Sequence, residues 1–134
     1  MPAGKAARRL PVEFLGYLEG AALLEQVRGA RAVVVPSEWY ENLPYAVLEA
    51  MALGVPVIGS RIGGIPEMVE EGTTGRLFPA GDAPALAGAM EALAGDPAAA
   101  AALGRAARRK LEAAWGAERG VAAVEALYAE VTRG

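Results

Sequence analysis

The chain has 134 residues, 54 % of them apolar, enough for one packed domain and too few for two of ordinary size. Its net charge of −3 argues against a nucleic-acid-binding face. The absence of cysteine and histidine excludes disulfides, thiolate nucleophiles, zinc sites built on Cys or His, and a histidine base. Any chemistry must then come from carboxylates, backbone dipoles or a partner domain. No segment has the shape of a signal peptide, and none approaches the roughly 18 apolar residues of a spanning helix. The expected location is cytoplasmic, and peripheral attachment at the inner membrane face is compatible with that.

Residues 1–10 are basic, Ala-rich and aperiodic, and read as an unstructured start. Val12 to Leu15 is a β-type run ended by Gly16. Glu19 to Gly29 is helical in period, with Leu23, Leu24 and Val27 on one stripe. Arg31 to Val35 ends in three consecutive valines, the pattern of a strand buried on both faces. A helix begins near Pro44, carries Val47, Leu48 and Met51 inward, and closes at Gly54. Val55 to Gly59 is a second buried strand, Gly63-Gly64 a turn, Ile65 to Glu71 a short helix, and Arg76 to Phe78 a third strand. Asp82 is a candidate N-cap for a helix with Leu86, Met90 and Leu93 inward. Asp96-Pro97 starts the next helix, which buries Leu103 and Leu111. A last helix carries Val121, Val124, Leu127, Tyr128 and Val131 inward. The basic cluster Arg105, Arg108, Arg109 and Lys110 reads as a solvated helix face rather than a phosphate or lipid site. Strands alternating with helices imply parallel βαβ units, hence an α/β, Rossmann-like doubly wound sheet with extra C-terminal helices.

Open α/β sheets bind ligands beyond the carboxyl ends of their strands. The two strongest strands end at Ser37 and Ser60, so the segments directly after them are the candidate site. One is Glu38 to Pro44, running into a helix whose free N–H groups and positive dipole end would suit a diphosphate. The other is Arg61 to Glu67. Eight residues of helix between Glu41 and Glu49 would separate them by roughly 12 Å. Paired glycosidase carboxylates stand about 5–9.5 Å apart, so a joint hydrolytic role does not fit. Two carboxylates on either side of a diphosphate, each accepting hydroxyl hydrogen bonds, fit better. Taken singly, Glu41 reads as a helix N-terminal charge and Glu49 as a surface residue. Trp39 and Tyr40 read as packing aromatics rather than sugar-stacking platforms. Glu67 reads as a local cap or pair. Gly63-Gly64 is not a dinucleotide fingerprint, because no G-x-G-x-x-G is present.

The run from Pro36 through Glu41-Asn42-Leu43-Pro44-Tyr45 and Glu49 to Ile58 resembles the E-x7-E segment of glycosyltransferase family 4 (group 1). Gly63-Gly64-Ile65-Pro66-Glu67 resembles that family's G-G-x-x-E turn, and Gly72-Thr73-Thr74-Gly75 its N-G-x-x-G turn. The three occur in the family's order and spacing, and the resemblance spans about residues 11–132. It implies a GT-B fold of two Rossmann-like domains, of which residues 11–134 would be part of the C-terminal, donor-binding one. By this resemblance Glu41 would contact hydroxyls of the donor sugar and Glu49 the ribose hydroxyls. Backbone amides from Asn42 through Leu43 to Tyr45 would meet sugar and diphosphate, although Pro44 has no N–H to offer. Ser37, Gly63 and Gly64 are further candidates for the substrate site. No residue is singled out as catalytic, and neither a metal nor a cofactor is implied. The donor would be a UDP-, GDP- or ADP-sugar, and transfer would retain anomeric configuration through an oxocarbenium-like transition state.

Asn42-Leu43-Pro44 stands where many relatives have G-F-G, which loosens sugar identity more than membership. The family's opening βαβ unit, with an Arg and a Lys that clamp the diphosphate, is not found in this sequence. The chain therefore reads as a truncated donor domain, without an acceptor domain and not active alone. In the 3-2-1-4-5-6 order the absent strands would lie between the first two predicted here. Those two strands then pair directly, or another chain fills the gap, or an edge stays open and favours self-association. A sugar-nucleotide 2-epimerase, which shares the GT-B architecture, and a non-catalytic fragment that docks on another chain are the alternative functions.

Overall fold

The computed structural model describes residues 11–40, 44–115, 125 and 129. Within these, helix α1 (Gly20–Arg28) leads to β1 (Val33–Val35), α2 (Tyr45–Ala52), β2 (Val57–Ser60), the short α3 (Ile65–Met68), β3 (Gly75–Phe78), α4 (Ala83–Ala94) and α5 (Pro97–Trp115). The strands form one parallel sheet in the order β1-β2-β3. This is the predicted α/β alternation. Parallel neighbours joined through helices bury both faces of the sheet.

The period of two in each strand divides the core. Val33, Val35, Val57 and Leu77 face one layer, with Val47, Leu48 and Met51 of α2 and Ala107 and Leu111 of α5. Val34, Ile58 and Phe78 face the other, with Ala89 and Leu93 of α4 and Ala100 and Leu103 of α5. Helix α5 therefore serves both layers, and small residues let it approach closely. A Cβ on Gly104 would clash with the Gly54 carbonyl oxygen, far inside van der Waals contact distance.

Capping follows the residue chemistry. The Asp82 carboxylate accepts from the Ala85 amide at 3.0 Å and starts α4, as predicted, and Asp96 does the same for Ala99 at 3.0 Å. Gly54, at φ 72°, closes α2 in the left-handed conformation that glycine adopts without strain. Pro44 stands one position earlier than predicted. It is the extended N-cap of α2, at φ −75° and ψ 109°.

Four expectations are corrected. Val12 to Leu15 forms no strand, and Val12, Phe14 and Leu15 are exposed. Direct pairing of this run with β1 is thus absent. A β-run holds its shape only through a hydrogen-bonded neighbour, whatever its propensity. Met90 is 47 % exposed instead of buried, because α4 presses on the sheet through Ala89 and Leu93. The helix after Gly64 ends at Met68, where Val69 turns extended and enters the core. Finally, only Arg105 and Arg109 of the basic cluster are exposed. The Arg108 guanidinium donates to the Ala52 carbonyl at 2.7 Å, and the Lys110 ammonium donates to the carbonyls of Glu67 and Met68 at 3.2 and 3.1 Å. These two cations satisfy carbonyls at the C-termini of α2 and α3, where the helix dipole favours positive charge. The start at residues 1–10, and the last helix with Val121, Val124, Leu127, Tyr128 and Val131, lie outside the described residues.

Candidate functional site

All three strands end on the same side, because they run parallel. Two hydrogen bonds stitch those ends together. The Ser60 hydroxyl donates to the Ser37 carbonyl at 2.7 Å, and the Arg61 amide donates to the Phe78 carbonyl at 2.8 Å. The chain after β1 also leans on the turn after β3. A Cβ on Gly81 would lie 3.4 Å from Glu38 Oε1.

Helix α2 opens onto this edge. Pro44 is buried and anchors its first turn, and the Pro44 carbonyl receives the Val47 amide at 3.1 Å. Tyr45 and Ala46 are exposed, and their amides have no acceptor among the described residues. Two N–H groups at the positive end of a helix dipole are thus left without an acceptor among the described residues.

Glu49 lies in the second turn of α2. Its neighbours Val47, Leu48, Ala50, Met51 and Ala52 are buried, so the helix is fixed against the sheet along most of its surface. Glu49 itself is half-buried, and its carboxylate has no hydrogen-bond or ion-pair partner among the described residues. Two other carboxylates close to the sheet are paired instead. Glu71 pairs with Arg76 at 2.6 Å, and Glu70 with Lys110 at 3.1 Å. An unpartnered, half-buried carboxylate keeps its acceptor capacity for hydroxyl donors. From Tyr45 to Glu49 the helix rises roughly 6 Å, a span suited to a diphosphate with a sugar or ribose at its end.

Gly63, at φ 60°, makes the left-handed turn after β2, and Gly64 comes next, buried and right-handed at φ −81° and ψ −7°. The amides of both have no backbone acceptor among the described residues. Gly59 is the glycine that packing requires here, since a Cβ on it would lie 2.6 Å from Ile65 Cγ2. The Gly72 to Gly75 turn is internal: the Gly72 amide bonds the Gly75 carbonyl at 2.8 Å, and buried Thr74 accepts from the Glu70 amide at 2.9 Å.

Of the predicted site residues, the structure brings Ser37, Pro44, Tyr45, Glu49, Gly63 and Gly64 to the carboxyl side of the sheet. Glu41, Asn42 and Leu43 lie outside the described residues. Trp39 and Tyr40 do not pack inward, being 77 % and 76 % exposed. The candidate site is an open edge and not an enclosed pocket. Three hollows of about 240, 210 and 270 Å³ lie elsewhere, lined by residues such as Val34 and Met90, Gly54 and Pro97, and Met51 and Lys110. Sequence reasoning missed the Ser60 hydroxyl bond. The only signal for it was a polar residue closing an otherwise apolar strand.

A parallel sheet whose strands alternate with helices, with a helix N-terminus at its carboxyl edge, defines a Rossmann-like domain. Residues 3–96 match the family described as glycosyl transferases group 1, and the chain belongs to that family. It is 37 % identical to glycogen synthase of Mycobacterium tuberculosis over 121 residues, which cover 90 % of this chain and 29 % of that protein. It is 38 % identical to sulfoquinovosyl transferase SQD2 of Arabidopsis thaliana over 106 residues, covering 77 % and 21 %. Among solved structures it is similar to sucrose-phosphate synthase from Thermosynechococcus elongatus, with a TM-score of 0.74, 36 % identity, and coverage of 91 % of this chain and 30 % of that one. It is also similar to Anabaena HepE in complex with UDP-glucose, with a TM-score of 0.72, 25 % identity, and coverage of 93 % and 33 %. The fold is thus that of part of a GT-B glycosyltransferase, and the chain spans about a third or less of the length of these relatives.

Proposed function

We propose that the chain binds a nucleoside diphosphate sugar, the donor of a retaining glycosyltransferase, at the carboxyl edge of its sheet. The half-buried carboxylate of Glu49, which has no partner among the described residues, carries the reading from the helix that opens there. In this reading the amides of Tyr45 and Ala46 take the diphosphate, Glu49 accepts from the ribose hydroxyls, and Glu41 accepts from the sugar hydroxyls. Asn42, Leu43, Ser37, Gly63 and Gly64 line the same edge. Dipoles aimed at the departing diphosphate stabilise the charge that develops as the glycosidic bond breaks. The acceptor is held by another domain, so the chain alone binds donor without turning it over. Similarity to a structure holding UDP-glucose supports this ligand class.

Amides and two carboxylates without a fixed cation give weak binding, about millimolar. Saturation-transfer NMR with UDP-, GDP- and ADP-glucose reads affinities in that range. Glu49→Gln should weaken binding about tenfold or more, the scale of a hydrogen bond to a charged group. Equal binding by the variant, or no binding of any of the three by the unaltered chain, sinks the reading.

One edge of β1 pairs with no strand among the described residues, which favours a companion reading, in which another chain completes the sheet. Light scattering that gives a monomer at all concentrations, with one cooperative melt, counts against it.

A further inference from the structure

The carboxyl edge of the sheet is acidic. Glu38 follows Ser37 there, and Glu49 stands on the helix that opens onto it. A diphosphate adds further negative charge, and like charges repel. The amides at the start of α2 offset this only in part, since a helix N-terminus carries roughly half an elementary charge. A full cation is needed at this edge to balance a bound diphosphate.

Most cations of the described residues are already engaged. Arg28, Arg76, Arg108 and Lys110 pair with Glu25, Glu71, Glu112 and Glu70. Arg31 donates to the Ala94 carbonyl at 2.8 Å. Arg105 and Arg109 are exposed on α5, whose buried residues pack on the faces of the sheet and not on its carboxyl ends.

Arg61 differs from all of these. It is the first residue past β2, and its amide donates to the Phe78 carbonyl at 2.8 Å, so its backbone is held where the strands end. Beside it the Ser60 hydroxyl donates to the Ser37 carbonyl at 2.7 Å, which brings the chain after β2 against the chain after β1. Its side chain is exposed, and the guanidinium has no hydrogen-bond or ion-pair partner among the described residues. Neighbouring strands lie about 4.8 Å apart, a gap that an arginine side chain can cross while its backbone stays in place. The planar guanidinium matches two phosphate oxygens at once.

We propose that Arg61 is the cation of the donor site: its guanidinium reaches over the carboxyl edge and pairs with the diphosphate of the nucleotide sugar. This rests on the donor-binding reading given above. The side chain has no partner to leave, so pairing costs the order of one side chain and breaks no ion pair within the described residues.

The test uses the full chain and two probes, UDP-glucose and inorganic pyrophosphate, in NMR titrations followed on the backbone amides and on the Arg61 Nε–H. Both probes should shift the Nε–H signal. Arg61→Gln should weaken both about tenfold at low salt, the scale of a hydrogen bond to a charged group. The difference should shrink at about 1 M salt, where the Debye length is about 3 Å. Arg61→Lys keeps the charge without the planar fork and should fall between the two. Arg109→Gln removes an equal charge from α5 and should leave both affinities unchanged. The melting temperature of Arg61→Gln should match that of the unaltered chain, because the exposed side chain holds no partner. Equal affinity in Arg61→Gln, or an equal loss in Arg109→Gln, overturns the proposal, while the donor reading stands if Glu49→Gln still weakens UDP-glucose. Binding of pyrophosphate without binding of UDP-glucose overturns the donor reading and the donor role of Arg61 with it. Failure to bind either probe overturns both.

Discussion

β2 and β1 are neighbours in one sheet, yet they live in different surroundings. All four residues of β2 are buried, and both its edges are hydrogen-bonded, to β1 and to β3. β1 has one bonded edge, and only Val35 of its three valines is buried. β1 is the more apolar of the two, three valines against Val-Ile-Gly-Ser, so residue type does not explain the difference. Position does: β2 lies between two strands and between two helical layers, whereas β1 has β2 as its one strand neighbour among the described residues. A strand's stability comes from neighbours on four sides, and a valine run cannot supply them.

The sharpest way to break the comparison is to truncate a cross-strand pair. Val34 and Ile58 are register partners facing the same layer. Ile58→Ala should cost about 3 kcal/mol, since the site is fully buried. Val34→Ala should cost about 1 kcal/mol, because Val34 is only partly buried. Urea denaturation measures both, and equal losses would mean that β1 is covered in solution.

Gly104→Ala comes next, at about 2 kcal/mol, because the new methyl meets the Gly54 backbone and not a flexible side chain. A melting temperature within a degree of the unaltered chain would show that α5 can move away freely. Arg108→Met keeps the aliphatic stem but leaves the Ala52 carbonyl unpaired, and a loss of about 1 kcal/mol is expected. If that loss vanishes in high salt, the Glu112 ion pair and not the carbonyl bond was responsible, since exposed pairs are screened. Smallest is Met90→Gln, within about 0.5 kcal/mol despite its place in a predicted apolar stripe. A larger loss would show that the hollow beside Val34 and Met90 is filled in solution.

Much of this was legible in the chain. The three valines, the apolar run at Val57 and Ile58, and the punctuation by Gly54, Asp82 and Asp96 located the helices and strands of the described core within a few residues. Each of those signals is local: a φ that only glycine tolerates, a carboxylate that caps, a period that matches one element. The E-x7-E resemblance likewise located Tyr45 and Glu49 on one helix at the carboxyl edge.

Four things were not legible, and they share a cause. Val12 to Leu15 has strand composition but no partner. Met90 sits on an apolar stripe that the sheet meets through smaller neighbours. Arg108 and Lys110 look solvated until α5 is laid across the ends of α2 and α3. Ser60 looks like the end of a strand until the Ser37 carbonyl is brought beside it. The sequence determined the elements, their order and the family, because these follow from local stereochemistry and periodicity. The tertiary structure alone decided which strand has two neighbours, which cations close helix ends, and which hydroxyl bridges strands at the site, because those depend on atoms dozens of residues apart meeting within a few ångströms.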